Sequence, residues 1–228
     1  GLRAAADGAS VGDAFETAVD GMAEQEGGNT QFGALLLLVP LVSAASVGDV
    51  TDAPDVTAAT TVEDAVSFYR AFEHVDVHVG DPPADADDLD VRRGADAVPA
   101  IRERGVTLRD VMSLGADTDD VAAEWAGGFE RTFHAADLIE RADGSLGDRA
   151  ATAYLTLLAE SPDTLVATRR GEDAAREVQE RATDLRDADR AAVDAFADDL
   201  VERGINPGTT ADLTAAGLFV ALRRGVSV

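Results

Sequence analysis

Three short polar stretches of this 228-residue chain hold the side chains best suited to gripping an anionic ligand. Gly27-Gly28-Asn29-Thr30 leads into Gly33. Ser161-Pro162-Asp163-Thr164 is followed by Arg169-Arg170-Gly171. Asn206-Pro207-Gly208-Thr209-Thr210-Ala211-Asp212 stands near the C-terminus. A glycine pair lets a ligand come close to the main chain. Each stretch opens or closes a predicted helix, and helix N-termini offer unpaired N–H groups and a positive dipole end, which suit phosphate. Asp163 and Asp212 are the candidate catalytic carboxylates. They are also the candidate ligands for Mg²⁺, which takes a few carboxylates together with phosphate oxygens and water. Arg169 and Arg170 present forks that match phosphate. The same residue types are also ordinary helix punctuation, so composition alone does not make them a site.

Other chemistry is thinly represented. His74, Asp76 and His78 would share a face in an extended segment and offer part of a metal site, with further ligands drawn from elsewhere. His134 stands alone in a helical stretch. The chain has no cysteine, which excludes disulfides and thiolate chemistry. It has no Ser-His-Asp set, P-loop, Rossmann fingerprint or zinc-finger spacing.

The elements that must position these residues read as helices throughout. Val11, Phe15, Val19 and Met22 recur at helical spacing over 10–26, behind Ser10 as N-cap. Thr30 to Ser46 reads as a helix apolar on every side, hence buried, with Pro40 kinking it or leaving one carbonyl without a donor. A polar loop around Gly48, Asp52 and Pro54 follows. Thr61 and Asp64 form a capping-box start for a helix to about Phe72. Residues 73–100 read as an irregular acidic surface excursion, with 74–78 as a short extended piece. Leu108–Leu114 is a short helix and Thr118–Arg141 a long one, with Gly127-Gly128 in its middle as a mark of close packing or a nearby ligand. Asp148–Glu160, Asp163–Arg170, Asp173–Leu185, Asp187–Arg203 and a last helix from Asn206 to about Arg224 complete the chain. The expectation is an all-α, single-domain bundle over 1–228, wrapped around the buried helix at about 30–46.

Composition narrows the setting. Asp and Glu number 44 against 19 basic residues, all of them arginine, for a formal net charge of -25. Such charge destabilises a compact chain in dilute buffer. It is screened in molar salt, where the Debye length is about 3 Å. An extreme halophile's cytoplasm is the expected home. No basic stripe exists for nucleic acid. The apolar run from Ala34 is too short to span a bilayer, and no secretory signal is visible. With 46% hydrophobic and 5% aromatic residues, close-packed helices are favoured over a β-sandwich.

Taken in order, the three polar stretches resemble the triphosphoribosyl-dephospho-CoA synthase family. Gly27-Gly28-Asn29-Thr30 with Gly33 is similar to that family's Gly-rich Asn-Thr-His-Lys-Gly signature. Asp163-Thr164 with Arg169 and Gly171 is similar to its Asp-Asp-Thr-Asn…Arg-Gly-Gly element. Pro207-Gly208 with Ala211-Asp212-Leu213 is similar to its Ser-Pro-Gly-Gly-Ser-Ala-Asp-Leu-Leu element. The run Gln31-Phe32-Gly33 to Leu41 looks closest to the archaeal branch. Gln31-Phe32 stand where the bacterial signature has His-Lys, and Pro162 and Leu165 replace its first Asp and its Asn. The family's N-terminal Ser-Pro-Gly-Leu-Val-Asp segment is not found, so this sequence is expected to begin after it.

The resemblance implies a transferase that joins ATP to dephospho-CoA with release of adenine. The ribose 2′-hydroxyl of dephospho-CoA attacks C1′ of the ATP ribose, giving a prosthetic-group precursor for citrate or malonate lyase acyl carriers. It implies Mg²⁺, with ATP as a substrate. Gly27, Gly28, Asn29, Thr30, Gly33, Thr164, Arg169, Gly171, Asn206, Pro207 and Gly208 would bind nucleotide, and Asp163 and Asp212 would serve catalysis and metal. The partners implied are a nucleotide and a CoA-type substrate, without nucleic acid or membrane, and a homo-oligomer is allowed. The alternative is a non-catalytic nucleotide- or phosphate-binding helical module, or a scaffold for a partner.

Overall fold

Proline inside a helix removes one N–H and strands the carbonyl four residues earlier. In the computed structural model of this chain, the carbonyl so released by Pro40 is that of Leu36, and the indole Nε1 of Trp125 donates to it at 3.2 Å. This exchange lies at the centre of the chain's first unit. The structure describes residues 1–24, 31–80, 82, 86–186 and 188–227. Among them are fourteen α-helices and no strand. Contacts group these helices into two compact units, Gly1–Glu130 and Arg131–Val228.

The first unit contains α1 (Leu2–Ala6), α2 (Val11–Ala23), α3 (Phe32–Val47), α4 (Ala53–Ala58), α5 (Val62–Ala71), α6 (Val98–Arg104), α7 (Leu108–Gly115) and α8 (Asp120–Gly127). Helix α3 is the expected central helix. Leu37, Val39, Leu41 and Ala44 are fully buried, and α1, α2, α4 and α8 pack around it. Helices α2 and α5 cross closely because Gly12 has no side chain; a Cβ there would lie 2.5 Å from the Asp64 backbone. The Asp64 carboxylate accepts the Gly12 N–H at 2.8 Å and the Thr61 N–H at 2.8 Å. The capping box read from Thr61 and Asp64 is present.

The second unit contains α9 (Glu130–Arg141, its first residue at the boundary), α10 (Leu146–Glu160), α11 (Thr164–Arg170), α12 (Glu172–Asp184), α13 (Arg190–Glu202) and α14 (Gly208–Arg223). Leu158, Val166, Val178, Phe196, Leu200 and Ile205 belong to its buried cluster. Gly217 of α14 lies against α9, where a Cβ would meet that of Ala135 at 2.4 Å. Helices α12 and α13 run antiparallel with arginine–carboxylate pairs between them, Arg203 to Glu177 at 2.7 Å among them.

Several expectations give way. The single helix over Thr118–Arg141 is two, α8 and α9. Gly128 ends α8 at φ 82° and Phe129 follows at φ 65°, its N–H donating to the Glu124 carbonyl at 2.9 Å. The glycine pair therefore marks a left-handed C-cap, where glycine relieves the Cβ clash. The apolar residues Val121, Trp125, Phe129 and Phe133 keep their four-residue spacing through the break and conceal it. The polar stretch after Gly48 holds a 3-10 turn, Val50–Asp52, capped by the Asp49 carboxylate, and then α4, with Pro54 in its first turn. The later part of 73–100 is helical: 3-10 turns at Asp87–Leu89 and Val91–Ala97 precede α6. Residues 76–80 have no regular structure. His74 turns back to α2, 3.5 Å from Asp20 and 3.9 Å from Glu16.

Candidate functional site

Two of the three polar stretches are built as one corner inside the second unit. Asp163 is the N-cap of α11, and its Oδ1 accepts the Val166 N–H at 3.0 Å. Its Oδ2 reaches the head of α14, accepting the Thr210 N–H and the Thr210 hydroxyl, each at 2.8 Å. Beside it the Thr164 and Thr209 hydroxyls lie 3.2 Å apart. Gly208, the first residue of α14, packs directly on Leu165; a Cβ there would lie 2.6 Å from Leu165 Cδ2. Pro207 sits at φ -73° and ψ 68°, and the Gly208 N–H returns to the Asn206 carbonyl at 2.8 Å. Those angles make an inverse γ-turn, for which proline is already set in φ.

The corner's electrostatics centre on Asp163, which is 1% exposed. Burial pushes its carboxyl above the usual range, and the hydrogen bonds from Thr210, Val166 and Leu165 only partly offset that. Burial, and then the Asp163 charge, in turn push the Tyr154 phenol upward. Donors from Val166 and Thr210 already occupy both Asp163 oxygens. The N–H groups of Gly208 and Thr210, which a phosphate would meet at a helix N-terminus, are taken within the chain.

The remaining expected residues divide into three groups. Gly27, Gly28, Asn29 and Thr30 lie outside the described residues. Gly33 is the second residue of α3, in the first unit. Arg169 is exposed on the last turn of α11, Gly171 follows at φ 91°, Asn206 is exposed at the turn, and Asp212 is half-buried in the second turn of α14. Arg170, read with Arg169 as a phosphate fork, instead donates its Nη2 to the Gly204 carbonyl at 2.8 Å. Thr209 and Thr210 belong to the third stretch but are not among the expected site residues. The signal that could raise them is their place in the first turn of a helix opened by Pro-Gly.

Phe32 holds the position where the bacterial signature has lysine. It is 8% exposed and its ring stands 5.0 Å from those of Phe15 and Phe72. The head of α3 is thus fastened by an aromatic cluster, with no cation at that position. Among the described residues no group of three His, Cys, Asp or Glu is placed to hold a metal. Among them, too, no helix is long and apolar enough to cross a membrane.

The family model for ATP:dephospho-CoA triphosphoribosyl transferase (CitG) matches residues 1–227. A solved structure from Archaeoglobus fulgidus, provisionally assigned as a triphosphoribosyl-dephospho-CoA synthase, matches with a TM-score of 0.80 at 26% identity, covering 98% of this chain and 94% of that one. No curated protein matches.

Proposed function

Because this chain belongs to the ATP:dephospho-CoA triphosphoribosyl transferase family, a family of transferases, we propose that it moves the triphosphoribosyl group of ATP onto dephospho-CoA. The C1′–N9 bond of ATP breaks and an O2′–C1′ bond to the acceptor ribose forms. The hydroxyl proton is lost and adenine leaves with a proton. The observation that supports this reading is the corner at 163–164 and 208–210. Two stretches 47 residues apart in sequence are tied there by Asp163 and Thr210 into one corner.

Within that reading the residues take distinct parts. Asp163 orients the heads of α11 and α14; its burial and its hydrogen bonds to both helices favour positioning over metal ligation. Arg169, exposed at the end of α11, is assigned to the triphosphate, where a fork can pair with two phosphate oxygens. The Thr164 hydroxyl and the Asn206 amide are assigned to the nucleotide's polar edges. Gly33 and residues 27–30 are assigned to nucleotide as well, by their likeness to the family signature. Magnesium bound with ATP supplies charge neutralisation on the triphosphate. It needs only one or two protein carboxylates, because it keeps water and phosphate oxygens as its other ligands. Asp212, half-buried in the second turn of α14, is the carboxylate assigned to that part. We place the reaction in a salt-rich archaeal cytoplasm, where the chain's own charge is screened from an anionic substrate.

The test is adenine release from Mg-ATP in molar KCl, with and without dephospho-CoA. Release that depends on dephospho-CoA, and that falls at least tenfold in Arg169→Ala and Asp212→Asn while the helical spectrum is unchanged, supports the assignment. The loss of one charged contact in a transition state is on the order of tenfold or more.

A further inference from the structure

The short helix α11 touches the turn after α13 at both of its ends and along its length. Asp163 holds Thr210, Thr164 meets Thr209, and Leu165 packs on Gly208. Val166 shares the buried cluster with Ile205, and Arg170 donates to the Gly204 carbonyl at 2.8 Å. As the α11 numbers rise from 163 to 170, their partners fall from 210 to 204. The helix is an antiparallel splint laid along the turn that carries Asn206, Pro207 and Gly208.

Four of these five contacts are in the interior or at its margin. The fifth differs, because Arg170 is exposed and its guanidinium caps a carbonyl at the surface. That carbonyl belongs to Gly204, which stands in the left-handed region at φ 61° as the chain leaves α13. The two N–H groups of this exit are satisfied locally, Gly204 to Val201 and Ile205 to Leu200. The Gly204 carbonyl is fixed from outside, by Arg170.

We infer that Arg170 is a positioning residue of the transferase: it closes the open end of the splint and so holds the 204–210 turn in the conformation that takes nucleotide. This rests on the reading above of that turn as part of the nucleotide site. Arg170 itself touches no substrate. A turn that is competent only part of the time weakens apparent binding by the competent fraction and leaves the chemical step alone.

The experiment compares wild type, Arg170→Ala and Arg170→Lys by steady-state kinetics and by amide hydrogen exchange of the substrate-free protein. Arg170→Ala should speed exchange across 205–210 by about tenfold or more, the loss expected for a hydrogen bond to a charged group. It should raise the ATP KM several-fold with kcat within about twofold, the pattern of a partly competent turn. Arg170→Lys keeps one donor for the Gly204 carbonyl and should restore both. Unchanged exchange at 205–210 in Arg170→Ala overturns the splint, and a raised KM alongside unchanged exchange points instead to direct contact with ligand. A fall in kcat at unchanged KM overturns the positioning role. If wild type releases no adenine, the reaction assignment fails, and exchange measured with and without Mg-ATP still decides whether Arg170 orders the turn.

Discussion

Asp64 and Asp163 each sit at the start of one helix and accept a backbone N–H from the first turn of another, Gly12 and Thr210 respectively. Their protonation equilibria move in opposite directions. At Asp64 burial alone would raise the carboxyl, but the hydrogen bonds from Gly12, Thr61 and Ser10 outweigh it and hold the group below the usual range. At Asp163 burial wins. A carboxyl lowered by folding contributes stability above its unfolded value and loses it as pH falls through the folded one. A carboxyl raised by folding contributes fully below its unfolded value and loses that contribution as pH rises through the folded one. Asp64→Asn and Asp163→Asn each set an amide NH₂ against backbone donors, at a cost of about 1–3 kcal/mol. Melts across the acid range should show the gap between wild type and Asp64→Asn narrowing as pH falls. The gap for Asp163→Asn should narrow as pH rises. Parallel slopes would refute the assignment. Both aspartates were legible in the sequence as helix-start residues. The link from Asp163 to Thr210 was not, because a cap announces itself within three residues while its second partner lies far along the chain.

Among the elements, α3 was the most legible and its neighbour α8 the least. An apolar run of this length, closed on all sides, reads as a buried helix, and Pro40 inside it predicts a stranded carbonyl. That Trp125 would satisfy it was not readable, since Trp125 also fits plain core spacing. Trp125→Phe removes the indole N–H and also leaves a cavity, so it should cost more than about 1–2 kcal/mol, the penalty for a buried carbonyl left without a donor. In a Pro40→Ala background the restored backbone N–H at position 40 can serve Leu36, and the same change should cost less. A double-mutant cycle should therefore report a coupling of about 1 kcal/mol. Additive losses would mean that the indole and the proline act independently. The motifs at helix ends were legible as punctuation, and two of them do act as punctuation. Asp163 caps α11 and also accepts the Thr210 N–H at the head of α14, which joins them. The motif at 27–30 lies outside the described residues.

Over the whole molecule, charge sets the conditions under which function can be seen. With a net charge of -25 and 19 arginines, the chain repels itself and an anionic nucleotide alike. Many arginines are held by nearby carboxylates, Arg102 by Glu63 at 2.8 Å and Arg224 by Asp137 at 2.9 Å among them. Raising KCl from about 0.1 M to 2 M shortens the Debye length from about 10 Å to under 3 Å. Thermal stability should rise across that range and the ATP KM should fall, the reverse of an ordinary nucleotide enzyme. A flat or opposite response would remove the case for salt adaptation. The all-α class was legible from an alanine-rich composition with few aromatics, and the family from three motifs in order. The division into two compact units was not legible, because the four-residue apolar spacing of Val121, Trp125, Phe129 and Phe133 runs across their boundary.

The central claim is that this chain performs its family's transfer despite Gln31-Phe32 in place of His-Lys. Adenine released from Mg-ATP in molar KCl tests it most directly. The account predicts release that requires dephospho-CoA and appears in equal amount with a triphosphoribosylated product. No adenine, or adenine released equally without dephospho-CoA, would contradict it.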